Sequence, residues 1–502
     1  MIIHQPQNKA EIIRADIVIA GAGLSGLASA LTALENGLTV TVLEKMNFLG
    51  GAGLFPEGSL GIGSGYQKKK GIVTTTEDLF TRVMEFHHWR CNAQVIRTLL
   101  NESGRTIDWL MENGVRIEGI KTLFPPEKSL NVWHIFKGGG ANVVKILSSK
   151  IKKNGGNILT ETPARELLTD DSGQITGIIA ETKEGKKIQI RASAVILSTG
   201  GFASNRQMLK KYVPDVNLPG MARLMYRGPD IDGRTGDGIN MALRVNAQVL
   251  GMGTIAGNSP YLDYEPAIIQ FRGPDYMKQT RCALIQPFLW INRHGERFYN
   301  ESLGSIFSDV YNAMTSNGGL MWSIFDEKMK RSMIENGPLI PFNAIIVPGD
   351  KMDALDEGIQ KGIEAGFAYR ADTIHELAKK IHIRPEKLKA TIDKVNSYSD
   401  LKTDPDFNRS PEHLIKFDTV NGPYYALKGL RAFFLTLGGV KVNRDMQAID
   451  TNDEPIPNLY VTGQDMGGLY DSTYDLLAEG SASSYALSSG RLAVKAIVRD
   501  LR

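Results

Sequence analysis

The chain has 502 residues, 42% of them hydrophobic, enough for a large core and two domains. A net charge of +3 with 23% charged residues does not point to nucleic acid or a membrane as partner. Its two cysteines, Cys91 and Cys282, form no CxxC pair, which argues against an iron–sulfur cluster or attached haem and predicts free thiols in a reducing compartment. The opening segment, MIIHQPQNKAEIIRAD, lacks the apolar core of a signal peptide. No apolar run is long enough to span a bilayer, so a soluble, cytoplasmic protein is expected.

Asp16 to Ala20 is a short β-branched apolar run and predicts a buried strand. Gly21-Ala22-Gly23-Leu24-Ser25-Gly26 follows at once, then an amphipathic stretch from Leu27 to Glu35 with Gly37 as helix stop. Leu38 to Leu43 is a second strand, ending at Glu44 and Lys45. This is the layout of a dinucleotide-binding βαβ unit. Gly21 permits the turn, Gly23 lets a pyrophosphate approach the backbone, and Gly26 lets the helix pack on the sheet. The first helical N–H groups face the phosphates, and Glu44 is placed to accept from a ribose diol. An acid there favours an unphosphorylated ribose, hence FAD or NAD over NADP.

Glycines cluster again at Gly50-Gly51-Ala52-Gly53 and at Glu57-Gly58-Ser59-Leu60-Gly61, suggesting a backbone that wraps a flat ligand. Helical sequence runs from Thr76 to Gly114 and from Val143 to Lys153. Strands are expected at Asn157 to Thr162, Ala164 to Thr169 and Ala194 to Leu197, with hairpins near Gly173 and Gly185. The last of them runs into Thr199-Gly200-Gly201, and Thr235-Gly236-Asp237-Gly238 opens a helix. From about Gly251 Tyr, Pro, Met and Trp become frequent, and Ile374 to Tyr398 has helical spacing. Strands return at Ala432 to Val442 and Leu459 to Thr462, and Gly480 starts a last helix. The predicted architecture is α/β: 1–250 and 436–502 form a nucleotide domain, and 251–435 an insertion.

GAGLSG with LEK, EGSLGIGS, STGGF, TGDG, INRHGERFYNE, LGGVKVN and PNLYVTGQ stand in an order that resembles the soluble fumarate reductase and 3-ketosteroid dehydrogenase superfamily of FAD-dependent oxidoreductases. The resemblance covers nearly the whole chain. It implies a Rossmann-like FAD-binding domain of the glutathione-reductase type, interrupted by an α+β capping domain, with the active site between them. It places the pyrophosphate on Gly21 to Gly26, the adenosine ribose on Glu44, the adenine at Ala164, and the flavin along Ala52, Gly53, Glu57 and Gly58. Lys45, Gly51, Ser59, Thr199 and Gly200 complete those turns. Asp237 and Gln464 take the ribityl side, although Gln464 replaces the usual acid. Gly480, Ala482 and Ser483 take the pyrimidine edge, where a helix N-terminus stabilises charge on reduced flavin.

Departures from the family pattern bear on the substrate. Ser305 stands where fumarate reductases have a proton-donating Arg, and Arg281 and Leu284 stand at the upstream relay positions. Phe434 and Leu435 replace a histidine pair, and about Leu477 a clamping Arg is missing. Unpaired carboxylates in such a pocket are expensive, so fumarate is not the expected substrate. Tyr474, with Tyr470 or Asp475 assisting, is the expected acid, because a Tyr hydroxyl donates to a carbonyl or enolate oxygen; a polar surface turn is the alternative. His134, Ser305 and Arg281 are further candidates, whereas His87 and His88 read as a helix-surface pair. No histidine is recognisable near Gly50 to Gly53, so FAD is expected to be non-covalent. Two readings remain: hydride transfer at a carbon–carbon bond next to a carbonyl, on an apolar or aromatic substrate with a separate electron donor or acceptor, or a non-catalytic flavin-binding carrier subunit.

Overall fold

The computed structural model describes residues 11–123, 129–218, 223–224 and 233–502. Residues 1–10, most of the segment tested above for a signal peptide, lie outside the described residues. Two compact units divide the chain: Met1–Tyr212, Pro229–Thr254 and Thr436–Arg502 in one, Val213–Gly228 and Ile255–Leu435 in the other, each over its described residues.

The first unit is built on an eight-stranded sheet, counted over the described residues. The strand Glu11–Ala20 lies at its centre, parallel to Val40–Leu43 on one side and Lys187–Leu197 on the other. Its burial rises along its length until Ile17, Val18 and Ile19 are fully enclosed, as a strand covered on both faces requires. Asn157–Leu159 and Pro455–Val461 extend the parallel set outward. The register pairs Ala20 with Leu43 and Leu197, Leu43 with Leu159, and Leu197 with Val461. Five strands therefore end along one edge, where ligands of open α/β sheets bind. The turns after Ala20, Leu43, Leu197 and Val461 are the glycine- and acid-bearing motifs of the sequence.

Helices Leu24–Glu35 and Ser481–Leu501 cross closely because small residues meet there. The Ser29 hydroxyl donates to the Gly490 carbonyl at 3.2 Å, and a Cβ on Gly490 would stand 2.3 Å from the Ser25 carbonyl oxygen. This fixes the N-termini of both helices within the same unit.

The second unit holds an antiparallel five-stranded sheet: Tyr261–Leu262, Tyr424–Leu430, Leu320–Asp326 and Leu289–Ile291, with Ala368–Ala371 also paired to Tyr424–Leu430. Trp290, Phe325, Leu427 and Leu284 are buried in its core. The helical stretch expected from Ile374 to Tyr398 is two helices, Ile374–Lys380 and Pro385–Leu401. Pro385 lacks an N–H and fits only a first turn, and His382 before it takes φ +59°.

Candidate active site

The turn after the first strand has the shape of a phosphate cradle. Gly21 takes φ +106°, and a Cβ there would stand 2.3 Å from the Ser198 carbonyl oxygen. A Cβ on Gly26 would stand 1.9 Å from the Gly21 carbonyl oxygen. Both glycines are demanded by the fold. Gly23 is not: its φ is −73°, and the nearest atom to an added Cβ is the Gly50 carbonyl oxygen at 3.9 Å. The protein leaves room at Gly23 that it does not fill, in front of a helix whose first turn no side chain caps. Oriented N–H groups with open space before them suit a pyrophosphate.

Glu44 closes one side. Its carboxylate accepts from Ala22 N–H and Met46 N–H, both at 2.9 Å, and burial pushes its carboxyl above the ordinary value. The two backbone bonds hold the carboxylate at the strand end. Lys45 donates to Asp237 at 2.7 Å and to Thr235 at 2.5 Å. Asp237, expected on the ribityl side, is thus ion-paired to the residue after Glu44.

Asp465, missed from the sequence, ties three motifs together. Its buried carboxylate accepts from Thr199 N–H at 2.5 Å, from Gly201 N–H at 2.9 Å and from the Thr199 hydroxyl. The same Thr199 hydroxyl accepts from Gly238 N–H at 2.9 Å. The acid absent at Gln464 is therefore present one residue later, where it fastens the STGG turn to the TGDG helix. The adjacent Asp in TGQD was the available signal.

At the last helix, Gly480 takes φ +78° as N-cap, and its carbonyl accepts from Leu60 N–H at 3.1 Å. Ser483 donates to the Gly58 carbonyl at 2.7 Å, so the EGSL strand lies against this N-terminus. Tyr470 donates to Ser481 at 3.0 Å, and Ser481 donates onward to the Tyr474 oxygen at 3.4 Å, which also accepts from Ala482 N–H at 3.4 Å. Tyr470, Tyr474 and Asp475 are buried, so this segment is not a surface turn. Burial keeps both phenols protonated at neutral pH. Asp475 accepts from Leu477 N–H at 2.8 Å.

Glu479 was not singled out by its sequence. It is 2% exposed, precedes the N-cap, and accepts from Leu123 N–H at 2.5 Å. Burial pushes its carboxyl up from 4.5 to about 7. The folded chain therefore holds a proton that the unfolded chain releases, so this contribution is full below pH 4.5 and is lost as pH rises through about 7. Its size is on the order of 3 kcal/mol. Glu479→Gln, which keeps the acceptor and cannot ionise, is expected to melt like the parent near pH 4.5 and above it at pH 8. Parallel melting curves across that range would remove the role of Glu479.

The remaining candidates are placed differently. His134 is fully buried, with Nδ1 on the Val132 carbonyl at 2.9 Å and Nε2 on the Ser64 hydroxyl at 2.8 Å. Burial lowers its pKa, so it is a neutral ring bracing the Gly61 to Ser64 turn, with both nitrogens engaged. His87 is not a helix-surface residue: it is 1% exposed, accepts from Asp471 N–H at 3.3 Å, and burial lowers its pKa to about 4. His88 is exposed, as expected. In the second unit, Ser305 donates to the Pro341 carbonyl at 2.7 Å, and Arg281 is fully enclosed. Ala164 starts the strand Ala164–Thr169, and Gly51, Ala52 and Gly53 form a short 3-10 turn whose leading Gly50 N–H donates to the Ala22 carbonyl at 2.9 Å. Among the described residues no helix is long and apolar enough to cross a membrane.

A family model described as "FAD binding domain" matches residues 16–480. The chain is 33% identical over 481 residues to a vinyl phenol reductase of Lactiplantibacillus plantarum, covering 95% of this chain and 94% of that protein. It is 26% identical to an NADH:fumarate oxidoreductase of Klebsiella pneumoniae over 91% of this chain, but spans only 45% of that longer protein. A 3-ketosteroid-Δ4-(5α)-dehydrogenase of Rhodococcus jostii, 23% identical and covered over 98% of both chains, shares the fold with a TM-score of 0.73. The space at Gly23, the strand-end acid Glu44 and the match over residues 16–480 agree, and the chain belongs to the FAD-binding family of oxidoreductases that this model describes.

Proposed function

We propose that this protein is an FAD-dependent oxidoreductase acting on a carbon–carbon bond conjugated to a carbonyl or an aromatic ring, on an apolar or aromatic substrate rather than fumarate. The observation that carries the reading is the buried hydroxyl chain Tyr470–Ser481–Tyr474 at the N-terminus of Ser481–Leu501, in the same unit as the dinucleotide cradle. The vinyl phenol reductase, matched end to end, supports an aromatic substrate.

When bound, FAD supplies hydride exchange at its N5. The chain's own residues hold and tune it. Gly21 to Gly26 would receive the pyrophosphate, Glu44 with Lys45 the ribose, and Ala164 the adenine. Gly51 to Gly53 and Glu57 to Ser59 would line the ring system, and Thr199, Gly200, Asp237 and Gln464 would take the ribityl side. The N-terminus at Gly480, Ala482 and Ser483 would stabilise charge at the pyrimidine edge. Tyr474 gives the proton. The glutathione-reductase-type arrangement of the first unit, a capping role for the second, non-covalent FAD and a separate electron donor or acceptor belong to the same reading.

The test is to photoreduce the purified yellow protein and offer 4-vinylphenol, cyclic enones, aryl enoates and fumarate, following return of the oxidised flavin band. Saturable reoxidation by one of the first three, and little by fumarate, is expected. Reoxidation by none of them leaves the carrier reading, and rapid turnover of fumarate refutes the substrate class. Flavin that stays with the acid-precipitated chain would refute non-covalent binding.

A further inference from the structure

The helix Thr76–Phe86 stops in a strained turn. Its C-cap is His87, and two residues with left-handed backbone follow, His88 at φ +50° and Trp89 at φ +59°. The backbone bonds are those of a Schellman stop: His88 N–H donates to the Glu85 carbonyl at 3.1 Å and Trp89 N–H to the Met84 carbonyl at 2.8 Å. Such a stop needs one left-handed residue, commonly glycine. Here there are two, and both carry large side chains that this backbone region strains. Both are exposed, Trp89 by 63%, so burial of their own side chains does not hold them there.

The residues on either side of the strained pair reach one segment of the same unit. His87 is buried, and its Nδ1 accepts from Asp471 N–H at 3.3 Å. Arg90 Nε pairs with the Asp471 carboxylate at 3.0 Å, and Asn92 N–H donates to the Gly468 carbonyl at 2.8 Å. The Thr254 hydroxyl donates to the Asp471 carbonyl at 2.5 Å. Asp471 is thus held at its N–H, its carboxylate and its carbonyl, and it stands between Tyr470 and Tyr474. The Tyr470 ring centroid lies 6.0 Å from that of His87, edge-on, and 5.3 Å from that of Tyr474. His87 itself passes no proton along: its Nε2 is buried with no hydrogen-bond partner among the described residues. With Nδ1 accepting, that nitrogen carries the ring proton. Burial draws the His87 pKa down to about 4, so the ring stays neutral and Nδ1 stays an acceptor at neutral pH.

We propose that the turn His87–Asn92 is a positioning device for the proton-donating hydroxyls: His87 and Arg90, with Thr254, fix Asp471, and Asp471 fixes the approach of Tyr470 and Tyr474 to Ser481. This rests on the reading of Tyr474 as the acid and goes beyond it, since His87 becomes a positioning residue that acts through Asp471. The chain it serves has little slack. The bond from Ser481 to Tyr474 is 3.4 Å, at the long limit for two hydroxyls, so a small displacement breaks it.

The test is a double-mutant cycle on the FAD-loaded protein, read as flavin reoxidation by the fastest of the vinyl arene, enone and enoate probes. His87→Leu is expected to keep its FAD and to slow reoxidation about tenfold to a hundredfold, since misplacing a group by about 1 Å costs up to about a hundredfold. Placed on Tyr474→Phe, the same change is expected to alter the rate by no more than about twofold, because the chain is already cut. His87→Asn, whose Oδ1 stands where Nδ1 does, is expected to recover most of the parent rate. If His87→Leu fails to fold, Thr254→Val decides: it loses only the hydroxyl on the Asp471 carbonyl, and a smaller loss in the same pattern is expected. NMR of ring-labelled tyrosine, recorded without substrate, reads the positioning directly. The Tyr474 signal, assigned by its loss in Tyr474→Phe, is expected to move in His87→Leu and Thr254→Val and to return in His87→Asn. An unmoved Tyr474 signal, or an equal rate loss with and without the Tyr474 hydroxyl, overturns the inference. So does a parent-like rate in His87→Leu where Tyr474→Phe is slow. A moved signal beside a Tyr474→Phe protein that turns over like the parent refutes the acid assignment alone.

Discussion

Gly23→Ala is expected to fold like the parent and to purify with most of its FAD missing. The backbone at Gly23 is ordinary for any residue, and the added Cβ would meet only the Gly50 carbonyl oxygen, at 3.9 Å. The fold therefore bears almost no cost. The methyl group instead enters the space in front of the first helical turn, where the pyrophosphate must lie close to the backbone. Overpacking a tight contact by one carbon costs about 1–3 kcal/mol, a loss of about tenfold to a hundredfold in affinity. The flavin-to-protein absorbance ratio and the melting point of the FAD-free chain separate the two effects. Gly26→Ala is the control: its Cβ would stand 1.9 Å from the Gly21 carbonyl oxygen, so both flavin content and stability are expected to fall. A Gly23→Ala protein with full FAD occupancy would falsify the cradle.

Tyr474→Phe is expected to keep FAD and to slow substrate-dependent reoxidation by about a hundredfold to ten-thousandfold, the usual effect of removing a general acid. Tyr474 accepts from both Ser481 and Ala482 N–H, and Ser481 accepts from Tyr470. A hydroxyl that accepts from a chain of donors is polarised and gives its own proton more readily. Tyr470→Phe removes the head of that chain and is expected to produce a smaller loss in the same direction. The phenylalanine ring fills the same buried volume, so stability is expected to change little. If Tyr474→Phe turns over like the parent, the acid is elsewhere. His134 is then a weak choice, because both its ring nitrogens are engaged. Ser305 has its hydroxyl on a backbone carbonyl.

The motifs around the cofactor were legible because each is local. A glycine after a strand, an acid at a strand end and a glycine before a helix are set by a few neighbouring residues, and their chemistry follows from backbone geometry. Glu44, Gly21 to Gly26 and Gly480 therefore stand at the strand ends and helix starts where the sequence put them. The split of the helix at Pro385 was missed, because helical spacing on both sides concealed a proline whose missing N–H a helix interior does not tolerate.

What the sequence alone could not determine depends on partners far along the chain. Gln464 and Asp465 are adjacent, and only the approach of Thr199 and Gly201, more than 260 residues earlier, makes Asp465 the acceptor. Tyr470 and Tyr474 sit in a segment as polar as a surface turn, and they are buried because the last helix packs over them. His87 looks like half of an exposed pair until Asp471 closes over it. Backbone conformation is set over a few residues, and the sequence states it. Burial, and the pairing or isolation of a polar group, are sums over the whole packed chain, and only the tertiary structure decided them.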